Sequence, residues 1–221
     1  MENLINTFDS VSIRKFLPCD RESVRRISWE TAFHELKQGV VFSDNEILAD
    51  AFTSYYTNYE PESCFVAIAE NRVVGYIIGT KDASAMERIS SKKIFPCLIW
   101  RALRRGIFLN IVNLRFLFYC LKSACKGEFS VPDFSKKFPA MLHINIESGY
   151  RAGGIGERLI KTFEAYLKDQ RVGGVHFGTF SEGGKNFFIK MGFTVLFQGK
   201  RSYLKAYLGK EINFYIFGKQ F

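Results

Sequence analysis

The chain has 221 residues, 47% of them hydrophobic, and a net charge of +9. Such a chain can bury a substantial core within a single domain spanning residues 1–221, and the absence of repeats and low-complexity segments excludes repeat architectures. The opening MENLINTFDS lacks the basic-then-apolar layout of a signal peptide, so a cytoplasmic protein is expected.

Five cysteines, an odd number without C-x-x-C spacing, are expected to stay reduced. His34, His143 and His176 have no ligand-like spacing, so no metal site is expected. A positive charge of this size fits nucleic acid, a membrane surface or an anionic cofactor. No helix-turn-helix, zinc or RNP motif supports specific nucleic-acid binding.

In chain order, residues 11–16 read as a first strand. Asp20, with Glu22 and Ser23, opens a helix expected to run to about Lys37. Ser43 or Asp44 caps a second helix, with Ile47, Leu48, Phe52 and Tyr55 on its apolar face. Pro61 closes that region. Residues 65–69 and 73–79 are apolar and β-branched, and they form a hairpin joined at Glu70-Asn71.

Residues 82–138 are harder to place. From Cys97 to Lys126 the chain has no proline and is apolar with scattered basic residues. On a helix, Arg101, Arg104, Arg105, Arg115, Lys122 and Lys126 fall within an arc of roughly 100°. Trp100, Leu103, Ile107, Leu114, Leu117, Phe118 and Leu121 take the other side. One long helix with a basic stripe is expected, and Gly106 and Asn110 are the points at which it could break into two. No stretch of about 18 residues is free of charge, so the segment is not a membrane span. Three readings compete: a helix packed on the core with solvated arginines, a lid or wall of a substrate pocket, or a peripheral membrane helix.

Residues 141–146, MLHINI, alternate as a half-buried strand. A helix follows from about Gly154, with Ile155, Leu159, Ile160, Phe163 and Leu167 at helical spacing. Between them, Arg151, Gly153, Gly154 and Gly156 make a turn at which backbone N–H groups can approach a phosphate. The spacing fits neither G-x-G-x-x-G nor G-x-x-x-x-G-K-[ST]. A strand at residues 175–180, the segment SEGGKNFFIKMGF, the strand TVLFQ and a final strand within INFYIFGK complete the chain.

R-A-G-G-I-G at residues 151–156 resembles the [QR]-x-x-G-x-[GA] pyrophosphate loop of the GNAT acyltransferase superfamily. Residues 181–193 resemble that superfamily's N-x-x-A-x-x-F-Y-x-K-x-G-F segment, with Ser181 at the Asn position and Phe187 and Phe188 at Phe-Tyr. The resemblance implies an α/β mixed sheet with a helical insertion, residues 82–138, between the third and fourth strands. It implies acetyl-CoA as co-substrate, lying where the fourth and fifth strands splay apart. The residues so implied to bind it are Ile144, Asn145, Ile146, Arg151, Ala152, Gly153, Gly154, Ile155, Gly156, Ser181 and Phe188.

The implied activity is transfer of an acetyl group to a small-molecule or protein amine by direct attack in a ternary complex. His143, Asn145 and Glu147 share one face of their strand. His143 is the candidate base, by virtue of an ordinary pKa near neutrality, and Asn145 is a candidate for orienting the acceptor or a water. A hydrogen-bonded structural histidine is the competing reading. Phe188 stands where the family often has a tyrosine that protonates the departing thiolate, so either Tyr55, Tyr56, Tyr119 or Ser181 supplies the hydroxyl or the thiolate leaves unassisted. The alternative function is a catalytically weak acyl-CoA-binding or interaction module.

Overall fold

The computed structural model describes residues 11–32, 40–151 and 153–221. The expected continuation of the first helix to about Lys37 falls on residues outside them, as does Ala152. Strands β1 (Ser12–Lys15), β2 (Cys64–Ala69), β3 (Arg72–Thr80), β4 (Ala140–Ile146), β5 (Gly174–Thr179), β6 (Thr194–Arg201) and β7 (Ile212–Gln220) form one sheet in the order β1-β2-β3-β4-β5-β7-β6. Every neighbouring pair is antiparallel except β4–β5. Local sequence explains several of these boundaries. Glu70 and Asn71 both take positive φ, the two-residue turn that matches strand twist and closes β2 onto β3. The register then slips between Ala67 and Ile68, leaving Val74 as an extra residue on β3.

Helices cover both faces of the sheet. On one face lie α1 (Arg21–Ala32) and α2 (Asn45–Tyr59). There Val24, Ile27, Tyr55 and Tyr56 pack on Val66, Tyr76 and Ile78. On the other, α6 (Ile155–Asp169) buries Leu159, Ile160, Phe163 and Leu167 against Phe65, Ala67 and Ile77. This two-sided burial explains why β2 and β3 read as nearly continuous apolar runs. Asp44 caps α2 by accepting from the Ile47 amide at 2.9 Å. On the inner face of α2, Ile47 and Tyr55 are buried as expected, joined by Ala49, Thr53 and Tyr56, while Phe52 is exposed.

The insertion is not one long helix. It comprises α3 (Ala83–Ile89), a wide turn at Ser90–Ile94, α4 (Phe95–Arg104) and α5 (Ile111–Cys125). The break falls at Gly106, which has φ +66°, and Asn110 restarts the helix by capping the Val112 amide. The remaining helices are α7 (Glu182–Lys190) and the short α8 (Lys205–Leu208) in the β6–β7 connection.

Candidate active site

β4 and β5 pair through Ala140 with Val175 and Met141 with His176 only. Beyond that point each strand belongs to a different half of the sheet. β4 continues along β3 as far as Ile146 opposite Gly75, and β5 continues along β7 as far as Thr179 opposite Tyr215. A wedge therefore opens between them, and its β4 side carries Ile144, Asn145 and Ile146. Backbone groups on that edge can pair with an extended amide chain as a neighbouring strand would.

At the tip of the wedge the chain turns into α6. Gly154 is the residue before the helix, at φ +73°, and a Cβ built on it would meet nothing within 4 Å. No side chain caps this end. The first bond into the helix runs from the Arg158 amide to the Gly154 carbonyl, so the amides of Ile155, Gly156 and Glu157 lie ahead of it. Gly156 is tight instead: a Cβ there would stand 3.2 Å from the Phe187 ring and 3.4 Å from Ile146. Arg151 is exposed and donates through Nε to the Ile146 carbonyl at 3.1 Å. An uncapped helix start, open space and a nearby guanidinium fit a pyrophosphate.

Strand alternation places His143 and Asn145 on the α1–α2 face, where they meet Tyr76. Asn145 Nδ2 donates to the Tyr76 hydroxyl at 2.8 Å and lies 3.2 Å from His143 Nε2, while Tyr76 Oη and His143 Nδ1 are 3.3 Å apart. The Phe52 ring covers His143 at 5.9 Å between centroids. With the Asn145 amide donating to Nε2, the hydrogen-bond pattern assigns the imidazole proton to Nδ1. Burial pushes the His143 pKa down to about 4 and the Tyr76 pKa well above its usual value. His143 is thus neutral, with Nε2 facing the Asn145 amide, and its pKa lies below the near-neutral value expected from its residue type. Glu147 is held by Arg26 and, at 2.6 Å, by Arg72. Burial alone would raise its pKa, but these two guanidiniums bring it down.

The opposite wall is aromatic. Phe214 lies across Gly178, where a Cβ would come within 2.6 Å of the ring. Phe214 also packs on Phe180 at 5.0 Å and under the Arg201 guanidinium at 4.5 Å. Tyr203 extends this wall to Phe129 and to Phe116 of α5.

The insertion spans the two walls. Arg101 and Arg105 of α4 and its C-cap pair with Asp50 and Asp44, and Asn113 of α5 accepts from the Ser43 amide at 2.9 Å. At the far end Glu128 accepts from the Ser202 amide and hydroxyl at 2.6 and 2.7 Å. These bonds and that from Ser123 outweigh burial and hold Glu128 down at about 2. An open cavity of about 340 Å³ lined by Tyr119, Lys122, Lys126, Ser202 and Lys205 lies outside the cleft, since none of its lining residues comes from β4 or the glycine turn.

The structure therefore brings Ile144, Asn145, Ile146, Arg151, Gly153, Gly154, Ile155 and Gly156 to one wedge. Two expected cofactor residues have other surroundings. Ser181 caps α7 by accepting from the Gly184 amide at 2.9 Å. Phe188 is buried in the core, its ring 4.5 Å from Phe177 and 5.6 Å from Phe217, and Phe187 faces the glycine turn instead. Among the hydroxyl candidates, Tyr55 bonds to Glu60 and Tyr119 packs on Tyr207 away from the wedge, while burial pushes the Tyr56 hydroxyl far up. Sequence reasoning missed Tyr76, Phe52 and Phe214. The bulge at Val74 breaks the alternation that would have placed Tyr76 beside His143. Phe52 and Phe214 carry no signal beyond an ordinary apolar pattern. Among the described residues, no group of His, Cys, Asp and Glu is placed to hold a metal ion.

No family profile matches the chain, and no curated protein sequence matches it significantly. Solved structures do resemble it. SsHAT superposes with a TM-score of 0.67 and 24% identity over 96% of this chain and 98% of its own. A polyamine N-acetyltransferase from Drosophila melanogaster, which catalyses formation of N-acetylagmatine, gives 0.59 and 15% over 96% and 100%. YncA from Salmonella typhimurium, a putative acetyltransferase solved with its cofactor acetyl-CoA, gives 0.57 and 11% over 96% and 94%. At such identities the likeness is one of fold, and that fold is the GNAT acetyltransferase fold.

Proposed function

We propose that this chain, which has the GNAT fold, transfers an acetyl group from acetyl-CoA to an amine by direct attack within a ternary complex. The observation that carries the proposal is the β4–β5 wedge ending at the uncapped start of α6. The amides at Ile155 and Gly156, with Arg151, hold the pyrophosphate, and the free edge of β4 at residues 144–146 holds the pantetheine arm. This sets the thioester in the wedge, where an amine entering from the α1–α2 face can reach its carbonyl.

The amine nitrogen forms the new C–N bond, the zwitterionic tetrahedral intermediate gives up an N–H proton to water, and its collapse breaks the C–S bond to release a thiolate. Holding both reactants in one cleft supplies much of the acceleration. The neutral His143–Asn145–Tyr76 cluster positions the acceptor and does not itself take the proton. The amine reacts in its free-base form, having shed its ammonium proton to water. The buried Phe188 offers no acid, and a thiolate is basic enough to be protonated from solvent after it leaves.

The test is amine-dependent thiol release from acetyl-CoA, followed across a panel of amines, with the acetylated product confirmed by mass spectrometry. Turnover with at least one amine is expected. Cofactor binding without turnover on any amine would instead support an acyl-CoA-binding module.

A further inference from the structure

The two main helices of the insertion bury little apolar surface. Beside the buried Leu98 and Ala102 of α4, their inner faces carry polar anchors: Arg101, Asn113 and Ser123 point toward Asp50, Ser43 and Glu128, and Arg105 at the end of α4 joins Asp44. Their outer faces are apolar and open. Phe95, Ile99, Trp100 and Leu103 of α4 and Leu114, Leu117, Phe118 and Leu121 of α5 are exposed, Trp100 by 61%. The corner between the helices presents Leu109 and Ile111 at 87% and 76% exposure. Isolated apolar residues on a surface need no explanation, but ten exposed large apolar residues on two consecutive helices and the corner between them mark an interaction site.

Charge indicates what covers it. Between Arg88 and Lys126 the sequence has nine basic residues and no acidic one. Arg101 and Arg105 are neutralised internally by carboxylates, and Arg115 lies over the rings of Tyr119 and Tyr207. Lys92, Arg104 and Lys122 are exposed, and among the described residues no carboxylate pairs with them. We infer that the outer face of α4 and α5 docks on an anionic lipid bilayer. Its apolar side chains enter the boundary between headgroups and acyl chains, and the three unpaired cations contact the headgroups. The helices have 10 and 15 residues, and no described helix is long and apolar enough to cross a membrane, so they lie along the surface. A protein partner is the weaker fit, because charged residues, lysine among them, are depleted at the core of a protein interface.

Flotation of the full chain with unilamellar vesicles tests this. The wild type should float with vesicles that are roughly one-third phosphatidylglycerol, bind pure phosphatidylcholine far more weakly, and bind less as salt rises. The triple change Lys92→Gln, Arg104→Gln, Lys122→Gln should lower partitioning onto the anionic vesicles by about a hundredfold, from roughly 1 kcal/mol per charge. The change Trp100→Ser, Leu103→Ser, Phe118→Ser should abolish flotation while leaving the circular-dichroism spectrum unaltered. Three outcomes would overturn the inference. One is a wild type that does not float. Another is equal binding to both lipids that the charge variant leaves unchanged. The third is a lipid-free dimer in sedimentation velocity that the apolar variant dissociates, which would make a second copy of this chain the occupant.

Discussion

At the scale of single residues, His143 shows how burial changes the role suggested by residue type. Its pKa falls from 6.5 to about 4 because desolvation penalises the charged ring. The unfolded chain therefore binds more protons than the folded one between those values, and stability rises with pH across that window. This contribution is fully present above about 6.5 and is lost as the pH falls toward 4. The same shift makes a prediction for the rate. The ascending limb of kcat/KM should follow the pKa of each acceptor amine, move when the amine is changed, and persist in His143→Gln. A limb that stays near neutrality for every amine and disappears in His143→Gln would restore the histidine as the base. The residue type was legible in the sequence, but its environment was not. That environment depends on Tyr76, brought opposite Asn145 by strand pairing, and on Phe52, brought over the ring by a helix far away in the chain.

At the scale of elements, the strands and the α6 turn were readable because their signals are local. Alternation marks β4, a two-residue turn closes β2 onto β3, and glycine at positive φ starts α6. The insertion was not readable in the same way. A wide apolar arc ordinarily faces the core, and in that one of the three readings Arg101 and Arg105 lie on the solvent side. Their carboxylate partners, Asp50 and Asp44, sit on α2 and at its cap and reverse that orientation. Asp50 is buried between Arg25 and Arg101. Asp50→Asn would remove the carboxylate shared by Arg25 and Arg101, leaving Arg25 with Glu22 and Glu46, and should cost about 1.5–3 kcal/mol in urea unfolding. Arg105→Gln, at an exposed pair, should change the midpoint little. Equal effects of the two substitutions would mean that the buried pair does not anchor the insertion.

At the scale of the molecule, the seven strands behave as two half-sheets joined at the beginnings of β4 and β5. β1 to β4 form one half, and β5, β7 and β6 the other. The separation is required by pairing: each strand satisfies its backbone on its outer neighbour, leaving the inner edges for a ligand. The insertion then ties the halves together across one face, from Asp50 on α2 to Ser202 after β6. The order of elements was legible in the sequence, whereas this bridge, built from contacts between segments far apart in the chain, was not.

The central claim is that acetyl-CoA occupies the wedge with its pyrophosphate at the start of α6, and calorimetric titration of acetyl-CoA tests it most directly. Gly154 has φ +73° and open space around it, so Gly154→Glu would strain the turn and put a carboxylate at the position proposed for the pyrophosphate. The wild type should bind one cofactor per chain, and Gly154→Glu, still folded by circular dichroism, should lose at least a hundredfold in affinity, about 2.7 kcal/mol. Undiminished binding by the folded variant would place the cofactor elsewhere and contradict the account.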